Sequence, residues 1–594
     1  MSYYDDASLM LLASGGAQKD GKVYSVKPTD GSGDFTFTRG SNLAATRVGA
    51  DGLIEKGREN LLLQSNQFDT TWLTSNLSVT SGQSGYDGTN DAWSLISTTA
   101  NGSHRIVQTF TGGSNSVVNY SVFAKSNGYD FLRIVENAST GDFATFNLSN
   151  GSVINNTGIA DTAIIESVGN GWYRCSISVD GGNTTRFDIY TMETSGATDF
   201  LGDGVSGAYI QDAQAEIGLA ATEVIESGAT TGKAGILEDT PRFDYSGGAT
   251  CPSLLLEPSR TNIIDSTEYF QDDYWTSENL YAINTNITET TSPTGDYSAT
   301  KIVANTTSTP SHNVYGDVAL SSATQYAVSI FAKAAEYDYL FIRGLGLGAS
   351  GGARFNLSTG VVLGTSGYDS ATIEDYGNGW YRCIAIGTST ATSGPYYHMS
   401  PTSNHAPFAG NNSDGIYIFG AQCEEGSYAT SYIPTYGSSQ TRAFDECLDA
   451  GDVATFNSTQ GTIYGEQKSL ETDFNYNYFL AVSDGTNNNR LEIRQAGASL
   501  QFLWRVAGVY QNTIILLNAP FSSTIKYALR YSSTDVKFYV NGSLVQTIDS
   551  PTLYPSGTLN NLQFADGSGG TNFRGVVKQV LVFKEALSDT ELIK

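Results

Sequence analysis

The chain of 594 residues contains 60 Asp and Glu against 32 Lys and Arg, which gives a formal net charge of −28. This negative charge argues against binding to nucleic acid and against docking on an anionic membrane, because phosphates and anionic lipids bind clustered Lys and Arg. Membrane insertion is not expected either, since no apolar stretch is long enough to cross a bilayer. The 35 Tyr and 27 Phe residues argue against disorder, and the length predicts three or four domains.

Residues 1–56 predict a small N-terminal module rich in β-structure. Residues 8–13 are apolar and leave two alternatives open, one or two helical turns or a strand that docks on another part of the chain. Residues 23–26, 35–38 and 45–48 are short runs of strand-forming residues between Gly-rich turns, and we predict a short strand for each.

A tandem repeat dominates the sequence. The string GNGWYRC at residues 169–175 returns unchanged at residues 377–383, 208 positions later. A repeat this long is a duplicated domain, because the units of solenoid proteins are no longer than about 50 residues. The first copy is predicted at residues 57–228 and the second at 261–447, with a connector at 229–260 between them.

Both repeats have the sequence pattern of half-buried strands. Residues 119–124 and 174–179 of the first repeat alternate apolar and polar side chains with a period of two, as expected of strands in a sandwich. The Asn-Gly pairs at 150–151 and 170–171 are typical of two-residue hairpin turns. The predicted fold class is therefore all-β, with tandem jelly-roll β-sandwiches behind the N-terminal module.

Residues 448–594 predict a third β-rich unit that is unlike either repeat. Residues 535–545 alternate around an Asn-Gly pair, which predicts a hairpin. Residues 584–592 predict a short helix with Ser588 as its N-cap. We therefore expect a separate sandwich domain that ends in a helical turn.

The five cysteines are widely spaced and include no CxxC pair, which argues against a zinc site. Cys175 and Cys383 occupy equivalent positions in the two repeats and are expected at the same place in each core. We predict free thiols in a chain that folds in a reducing cytosol. We also expect no export signal, since the apolar segment near the N-terminus lacks a basic leader.

Enzymatic activity has little support in the sequence. It contains no HExxH zinc-protease pattern and no phosphate-binding loop of the GxxxxGK[ST] type. Carboxylates are plentiful, and the two members of a glycosidase pair would meet only in the fold, so that alternative stays open. We predict a protein that is not an enzyme and has no catalytic residues, because duplicated surface carboxylates are commoner than duplicated active sites.

Residues 33–39, 45–48 and 51–55, with the sequences GDFTFTR, ATRV and DGLIE, resemble the opening of a family of tailed-phage structural proteins. In that family the opening continues into a segment similar to residues 236–260 here, which contain PRFDY and CPSLLLEPSR. The first repeat separates the two parts in this chain. The resemblance therefore implies that residues 1–56, continued by the later segment, form a discontinuous module that attaches the protein to the virion.

The two repeats resemble the carbohydrate-binding-module-type jelly rolls of phages, in which a strand ending in GNGWYRC is common. Residues 448–594 resemble a concanavalin A-like (laminin G-type) jelly roll through the hairpin at 538–542 and the closing segment at 580–587. Together these resemblances imply a structural appendage of a tailed-phage particle, either a head fibre, a tail fibre or a capsid decoration. Its sandwich domains would bind host surface polysaccharide during host attachment.

The expected location is the virion, after assembly in the host cytoplasm. The expected partners are other capsid or tail proteins, reached through the N-terminal module, and host polysaccharide; a fibre would also suit a homotrimer. Two alternatives stay open. One is a purely structural capsid or tail component that binds no glycan, and the other is an enzyme that depolymerises glycans.

Sugar recognition needs aromatic rings beside hydrogen-bonding side chains. Aromatic side chains without an equivalent in the other repeat are the better ligand candidates. They are Trp93, Tyr396, Tyr397 and His398 in the repeats and Trp504 in the C-terminal domain. The alternative stays open that these side chains pack in the core or lie on the surface without binding a ligand.

Calcium is the one ion that the sequence suggests. Concanavalin A-like jelly rolls often hold it in acidic loops, and Asp484, Asn487 and Asp566 lie in two loops of this kind. The alternative is a pair of tight turns in which Gly and Asn supply the positive φ angles. We favour the turns, and we expect no other cofactor.

Overall fold

The computed structural model describes residues 3–592 apart from 20, 41–42, 112–115, 139–140, 160–161, 181–184, 286–287, 310, 348–350, 391–393, 472–475 and 522. Its helical segments are α1 (Tyr3–Asp6), a 3₁₀ turn (Ala13–Gly15) and α2 (Asp589–Leu592), and strands make up the other regular structure. The predicted all-β fold class with tandem jelly-roll sandwiches is confirmed. Among the described residues, no helix has the length and apolar character needed to cross a membrane.

The N-terminal segment consists of short strands and turns. Its strands are β1 (Leu9–Leu12), β2 (Gln18–Lys19), β3 (Lys22–Val23), β4 (Phe35–Thr38), β5 (Thr46–Val48), β6 (Ile54–Lys56) and β7 (Arg58–Asn60). The strand predicted at residues 35–38 has its predicted bounds. The strand predicted at 45–48 is present but shorter, as β5, whereas the strand predicted at 23–26 is wrong apart from Val23, the last residue of β3.

The first repeat is a sandwich of two sheets. Its strands are β8 (Leu73–Ser75), β9 (Leu77–Gln83), β10 (Ala92–Ser97), β11 (Asn101–Ser103), β12 (Arg105–Phe110), β13 (Val117–Asn127), β14 (Phe131–Glu136), β15 (Phe143–Asn147), β16 (Ser152–Asn156), β17 (Ile164–Gly169), β18 (Trp172–Asp180), β19 (Thr185–Met192), β20 (Asp199–Leu201) and β21 (Gly207–Ile217). The sheets run β17-β18-β13-β21-β10-β9 and β16-β15-β14-β19-β12-β8, and β11 pairs with β20. Their inner faces bury one apolar core, which contains Leu95, Ile134 and Phe187.

The connector and the second repeat follow. Their strands are β22 (Gly232–Ala234), β23 (Arg242–Asp244), β24 (Ser253–Leu256), β25 (Arg260–Asn262), β26 (Trp275–Glu278), β27 (Leu280–Thr285), β28 (Thr300–Ala304), β29 (Asn313–Gly316), β30 (Gln325–Ala334), β31 (Tyr339–Arg343), β32 (Gly352–Asn356), β33 (Val361–Ser366), β34 (Ser370–Asp375), β35 (Trp380–Thr388), β36 (Tyr396–Ser400), β37 (Gly415–Glu425), β38 (Gln440–Arg442) and β39 (Glu446–Leu448). The sheets run β34-β35-β30-β37-β28-β27 and β33-β32-β31-β36-β29-β26. The two repeats therefore share one strand order.

The C-terminal sandwich closes the chain. Its strands are β40 (Gly461–Ser469), β41 (Tyr476–Ser483), β42 (Arg490–Ala496), β43 (Ser499–Val506), β44 (Val509–Leu516), β45 (Ile525–Tyr531), β46 (Asp535–Val540), β47 (Ser543–Asp549), β48 (Asn561–Gln563) and β49 (Gly575–Phe583). One sheet runs β44-β43-β42-β41-β48, and the other runs β23-β24-β49-β40-β45-β46-β47 with β1 also paired to β49.

Strands from the N-terminal segment and the connector complete this last sandwich. β1 pairs with β49, with Leu9 opposite Val582, which confirms the docking-strand alternative for residues 8–13. β24 pairs with the same strand, with Leu254 opposite Val577. Leu9 and Leu254 are fully buried in the core of the C-terminal sandwich. Three separate parts of the sequence thus share one core.

A buried network of ion pairs links the N-terminal segment and the connector to the end of the second repeat. Arg242 donates to Glu257 at 2.7 Å and also to Asp445. Arg39 lies 3.3 Å from Asp445, and Arg442 lies 3.1 Å from Glu257. Burial alone would raise the pKa of Glu257, but Arg442 and Arg242 lower it to about 2. The motifs that resemble the phage family therefore meet in the interior, where each charge has a partner.

The prediction of half-buried strands is wrong for β13. Residues Val117–Ala124 are buried on both faces of this strand. The face turned away from the core carries Phe123, whose ring stacks on Tyr86 at 3.8 Å, with Trp172 beside them. The alternating sequence does not produce alternating exposure here, because an aromatic cluster covers the second face of the strand at Phe123.

Candidate functional site

Three of the aromatic ligand candidates lie in the core. Trp93 is 7% exposed, Tyr397 is 0% exposed and Trp504 is 1% exposed. The indole nitrogen of Trp93 donates to the carbonyl of Asn66 at 3.0 Å, and that of Trp504 donates to the carbonyl of Thr552 at 3.2 Å. The structure corrects the prediction for these residues, because a ring enclosed by its own domain has no face left for a sugar.

The other two candidates are also engaged by the protein. Tyr396 is half-buried, and its ring stacks on Tyr315 with centroids 4.4 Å apart. His398 is 4% exposed and lies edge-on to His405 at 4.9 Å. The structure corrects the prediction for His398, which is buried, whereas Tyr396 keeps part of its ring exposed and stays a prediction. Residues 391–393, near the start of the loop before these side chains, lie outside the described residues.

The two loops suggested for calcium do come together. The side-chain amide of Asn487 donates to Ser568 Oγ at 2.9 Å and so joins them. Asp484 Oδ1 accepts the Thr486 amide at 3.0 Å, and Asp566 Oδ1 accepts the Ser568 amide at 3.0 Å, both of which are bonds within tight turns. Within the described part of the chain, no three His, Cys, Asp or Glu side chains converge to hold a metal ion. Calcium binding stays a prediction.

A cluster of arginine and tyrosine side chains lies beside these loops, on the five-stranded sheet. Leu491 and Ile493 of β42 point into the sandwich core. Their neighbours Arg490, Glu492 and Arg494 therefore share the opposite face of the sheet. We call this surface the Arg–Tyr face, and it comprises Arg490, Arg494, Arg505, Tyr476, Tyr478 and Tyr510.

One end of the Arg–Tyr face holds two arginines side by side. Arg490 on β42 lies directly opposite Arg505 on β43. Both guanidinium groups donate to the carbonyl of Asn487, at 2.6 and 3.3 Å. The Arg505 group also lies 4.6 Å from the centroid of the Tyr510 ring, which is 50% exposed. This end combines concentrated positive charge with an accessible aromatic ring.

The other end of the face holds one arginine and two tyrosines. The Arg494 guanidinium lies 4.2 Å from the centroid of the Tyr476 ring and 5.8 Å from that of Tyr478. Gln501 Oε1 accepts hydrogen bonds from Arg494 Nε and Nη2, at 3.3 and 3.2 Å. Tyr476 is 55% exposed. The hydrogen bonds fix the plane of the guanidinium against a ring that solvent can reach.

Glu492 lies between the two ends and balances part of their charge. It is fully buried, with Arg490 at 2.5 Å and Arg494 at 3.3 Å. Burial raises the pKa of Glu492 in spite of these two cations. Three guanidinium groups thus lie near two carboxylates, Glu492 and the neighbouring Asp566, so arginine is in excess on this part of a chain of net charge −28. The alternation Arg-Leu-Glu-Ile-Arg at 490–494 was the sequence signal for this face.

Two grooves between domains are a second candidate. One encloses about 1020 Å³ and is lined by Glu374 and Arg382 of the second repeat. The other encloses about 560 Å³ and is lined by the equivalent Glu166 and Arg174 of the first repeat. Asp51 of the N-terminal segment lines both grooves. In each repeat the carboxylate lies opposite the arginine across the strand ladder, and not opposite a second carboxylate.

Residues 448–593 match the sequence family described as the concanavalin A-like lectin/glucanases superfamily. The C-terminal sandwich is a concanavalin A-like domain. This domain carries the Arg–Tyr face, and the resemblance noted for residues 448–594 is confirmed. A search of curated proteins finds no match to the chain.

Several solved structures are similar to about a quarter of the chain. The Ruminococcus gnavus IT-sialidase CBM40 bound to alpha2,3 sialyllactose is 22% identical and has a TM-score of 0.22, with 25% of this chain and 91% of that chain covered. A point mutant of NanB sialidase from Streptococcus pneumoniae is 15% identical, with a TM-score of 0.21 and 24% of each chain covered. The binding domain of botulinum neurotoxin serotype D is 11% identical, with a TM-score of 0.21 and with 25% of this chain and 39% of that chain covered.

Proposed function

We propose that the chain is a structural appendage protein of a tailed-phage particle, a head fibre, tail fibre or capsid decoration, that binds host surface glycans through the Arg–Tyr face. The observation that carries glycan binding is the half-exposure of the Tyr476 and Tyr510 rings beside fixed guanidinium groups, in a concanavalin A-like domain. A sugar packs its apolar ring face on such a side chain while its hydroxyl groups meet polar neighbours.

Binding at a single face of this kind is expected to be weak. The exposed part of the face consists mainly of two half-exposed rings, and a sugar that packs on them stays partly in water. Many copies on one particle would raise the overall affinity through effective concentration, without any one site being strong. This is the behaviour expected of an attachment protein, which has to hold a particle on a cell surface and still allow it to move.

The test of glycan binding is a glycan array probed with the full-length chain and two variants. The double variant Tyr476→Ala/Tyr510→Ala removes the two half-exposed rings of the face. Tyr281→Ala is the matched control, because Tyr281 is a 61% exposed tyrosine on β27 of the second repeat. We expect the double variant to lose binding and the control to keep it. Absence of binding by the full-length chain would favour the purely structural alternative.

The particle assignment is supported by the resemblance of the N-terminal motifs to phage proteins. β1 and β24 belong to the sheet of the C-terminal sandwich, and the buried Arg242 network holds the same segments together. Attachment through residues 1–56 would therefore present the C-terminal domain in a fixed orientation.

Cryo-EM of intact particles, with the chain traced in the density, tests this assignment. We expect residues 1–56 against capsid or tail proteins and the sandwiches directed outward, and three copies around one axis would establish the homotrimer. Sandwiches enclosed by neighbouring subunits would favour a purely structural component. Absence of the chain from the particle would contradict the assignment and favour a free glycan-active protein, with the depolymerising enzyme as one form.

A further inference from the structure

We propose that the Arg–Tyr face selects carboxylated sugars, the uronic-acid type of residue found in acidic polysaccharides. This inference rests on the glycan binding proposed above and adds the charge of the ligand. It depends on the charge of the face, on one open hydrogen-bond donor, and on the spacing of its aromatic rings.

The charge of the face favours an anionic ligand over a neutral one. Arg490 and Arg505 are cross-strand neighbours, and like charges in this position destabilise a sheet. Glu492 pairs with Arg490 and Arg494, which leaves Arg505 without a carboxylate partner among the described residues. A carboxylate bound at this end would pair with the Arg505 guanidinium, whereas a neutral sugar would leave that cation without a partner of opposite charge.

Arg505 has hydrogen-bonding capacity to spare. Its Nε donates to the carbonyl of Gly508 at 2.8 Å, and its Nη1 donates to the carbonyl of Asn487 at 3.3 Å. Its Nη2 has no hydrogen-bond partner among the described residues. The planar fork of a guanidinium matches the two oxygens of a carboxylate, and here the Tyr510 ring already fixes its plane. Little side-chain entropy would be lost when a ligand binds.

The spacing of the face fits an oligosaccharide. Tyr476 stacks on Arg494 at one end and Tyr510 on Arg505 at the other. Arg490, opposite Arg505, and Arg494 are four residues apart on β42, which separates the two ends by about 13 Å. Each end offers one ring for an apolar sugar face and one cation for an acid group. A small anion such as phosphate would use the cations but not the rings.

Binding of paired oligosaccharides to the full-length chain tests the proposal. The probes are uronic acid oligosaccharides, the same oligosaccharides with their carboxyl groups reduced to neutral hydroxymethyl groups, and a sulfated neutral oligosaccharide. We expect the acid forms to bind at least about tenfold more tightly than the reduced forms, the order of one charge-assisted hydrogen bond. The double variant Arg494→Gln/Arg505→Gln should lose this preference, and Arg505→Lys, which keeps the charge but not the fork, should lose part of it.

Arg133→Gln is the matched control, because Arg133 in the first repeat stacks on Phe143 at 4.3 Å, far from the Arg–Tyr face in sequence and domain. Equal binding of acid and reduced forms would overturn the carboxylate selection and leave glycan binding standing. An acid preference that survives in the double glutamine variant would also overturn it, as would sulfated probes that bind as tightly as the acids. Failure of every probe to bind would count against the proposed glycan binding itself.

Discussion

Replacement of Asp212 is expected to stabilise the first repeat at neutral pH. Asp212 lies on β21 with a backbone φ of +49°, and its equivalent in the second repeat is Gly420 with a φ of +61°. The side chain is 7% exposed, and the Tyr86 hydroxyl donates to its Oδ2 at 3.0 Å. Burial raises the pKa of Asp212 from 3.8 to about 6, even though the hydrogen bond from Tyr86 acts to lower it.

The pKa shift sets the size and the pH dependence of the effect. The folded chain disfavours the ionised form of Asp212, which lowers the free energy of unfolding. The loss of stability reaches its full size above a pH of about 6 and disappears below a pH of about 3.8. It amounts to about 3 kcal/mol at pH of about 7.5 and about 1 kcal/mol at pH of about 4.5. Asp212→Asn removes the charge and keeps an acceptor for Tyr86. Asp212→Gly also relieves about 1 kcal/mol of left-handed strain, but it leaves the Tyr86 hydroxyl to bond with water.

Differential scanning calorimetry of the full chain at the two pH values is the assay. Because about 1 kcal/mol moves the midpoint of a domain of this size by about 2 to 4 °C, Asp212→Asn should raise one transition by up to about 12 °C at the higher pH and by much less at the lower. Gly420→Asp is the matched control and should lower a transition at the higher pH. If Asp212→Asn lowers the midpoint at the higher pH, the carboxylate is stabilised in its ionised form and the reasoning is refuted.

Three further predictions concern the rest of the structure. Arg242→Ala should lower the free energy of unfolding, measured in urea, by about 3 to 5 kcal/mol, because Glu257 and Asp445 would stay buried without this partner. An unchanged unfolding curve would contradict a stabilising role for the network. Deletion of residues 1–16 should lower the midpoint of the C-terminal sandwich in calorimetry, because it removes β1 from β49, whereas independent folding would leave that midpoint unchanged. EDTA should leave the thermal midpoints unchanged, since Asp484 and Asp566 accept backbone hydrogen bonds within tight turns. A rise in a midpoint on addition of calcium chloride would show that these loops bind calcium.

Local patterns in the sequence predicted the elements whose formation depends on near neighbours. Residues 35–38 form β4, and the turn between β17 and β18 has Asn170 at φ +53° and Gly171 at φ +77°, as a two-residue hairpin turn requires. The helix predicted at 584–592 is shorter and spans Asp589–Leu592, and it begins after Ser588, whose backbone amide donates to Glu591 Oε2 at 2.7 Å, one of the two hydrogen bonds of a capping box. These outcomes follow from strand period, turn chemistry and capping, all of which act over a few residues.

The candidate site depended on the register of consecutive strands and on which faces the fold covers, and it could not be predicted in the same way. Trp93 and Trp504 were chosen as ligand candidates for their residue type, yet both rings are enclosed by their domains. The arginines at 490 and 505 meet because β42 and β43 pair in one register, and a shift by a single residue would turn Arg505 into the core. Residue type alone does not say which face of a sheet is covered.

The sequence by itself determined the all-β class, the duplicated sandwich and the concanavalin A-like character of residues 448–593, because alternation, turn residues and repeated strings are carried by the chain locally. Only the tertiary structure decided that β1 and β24 complete the C-terminal sheet, and that Arg39 and Arg442 share one buried network. It also decided that arginine and tyrosine side chains, and not the tryptophans, form the exposed face. The physical reason is that burial and strand register depend on which segments fold against each other, and those segments lie hundreds of residues apart.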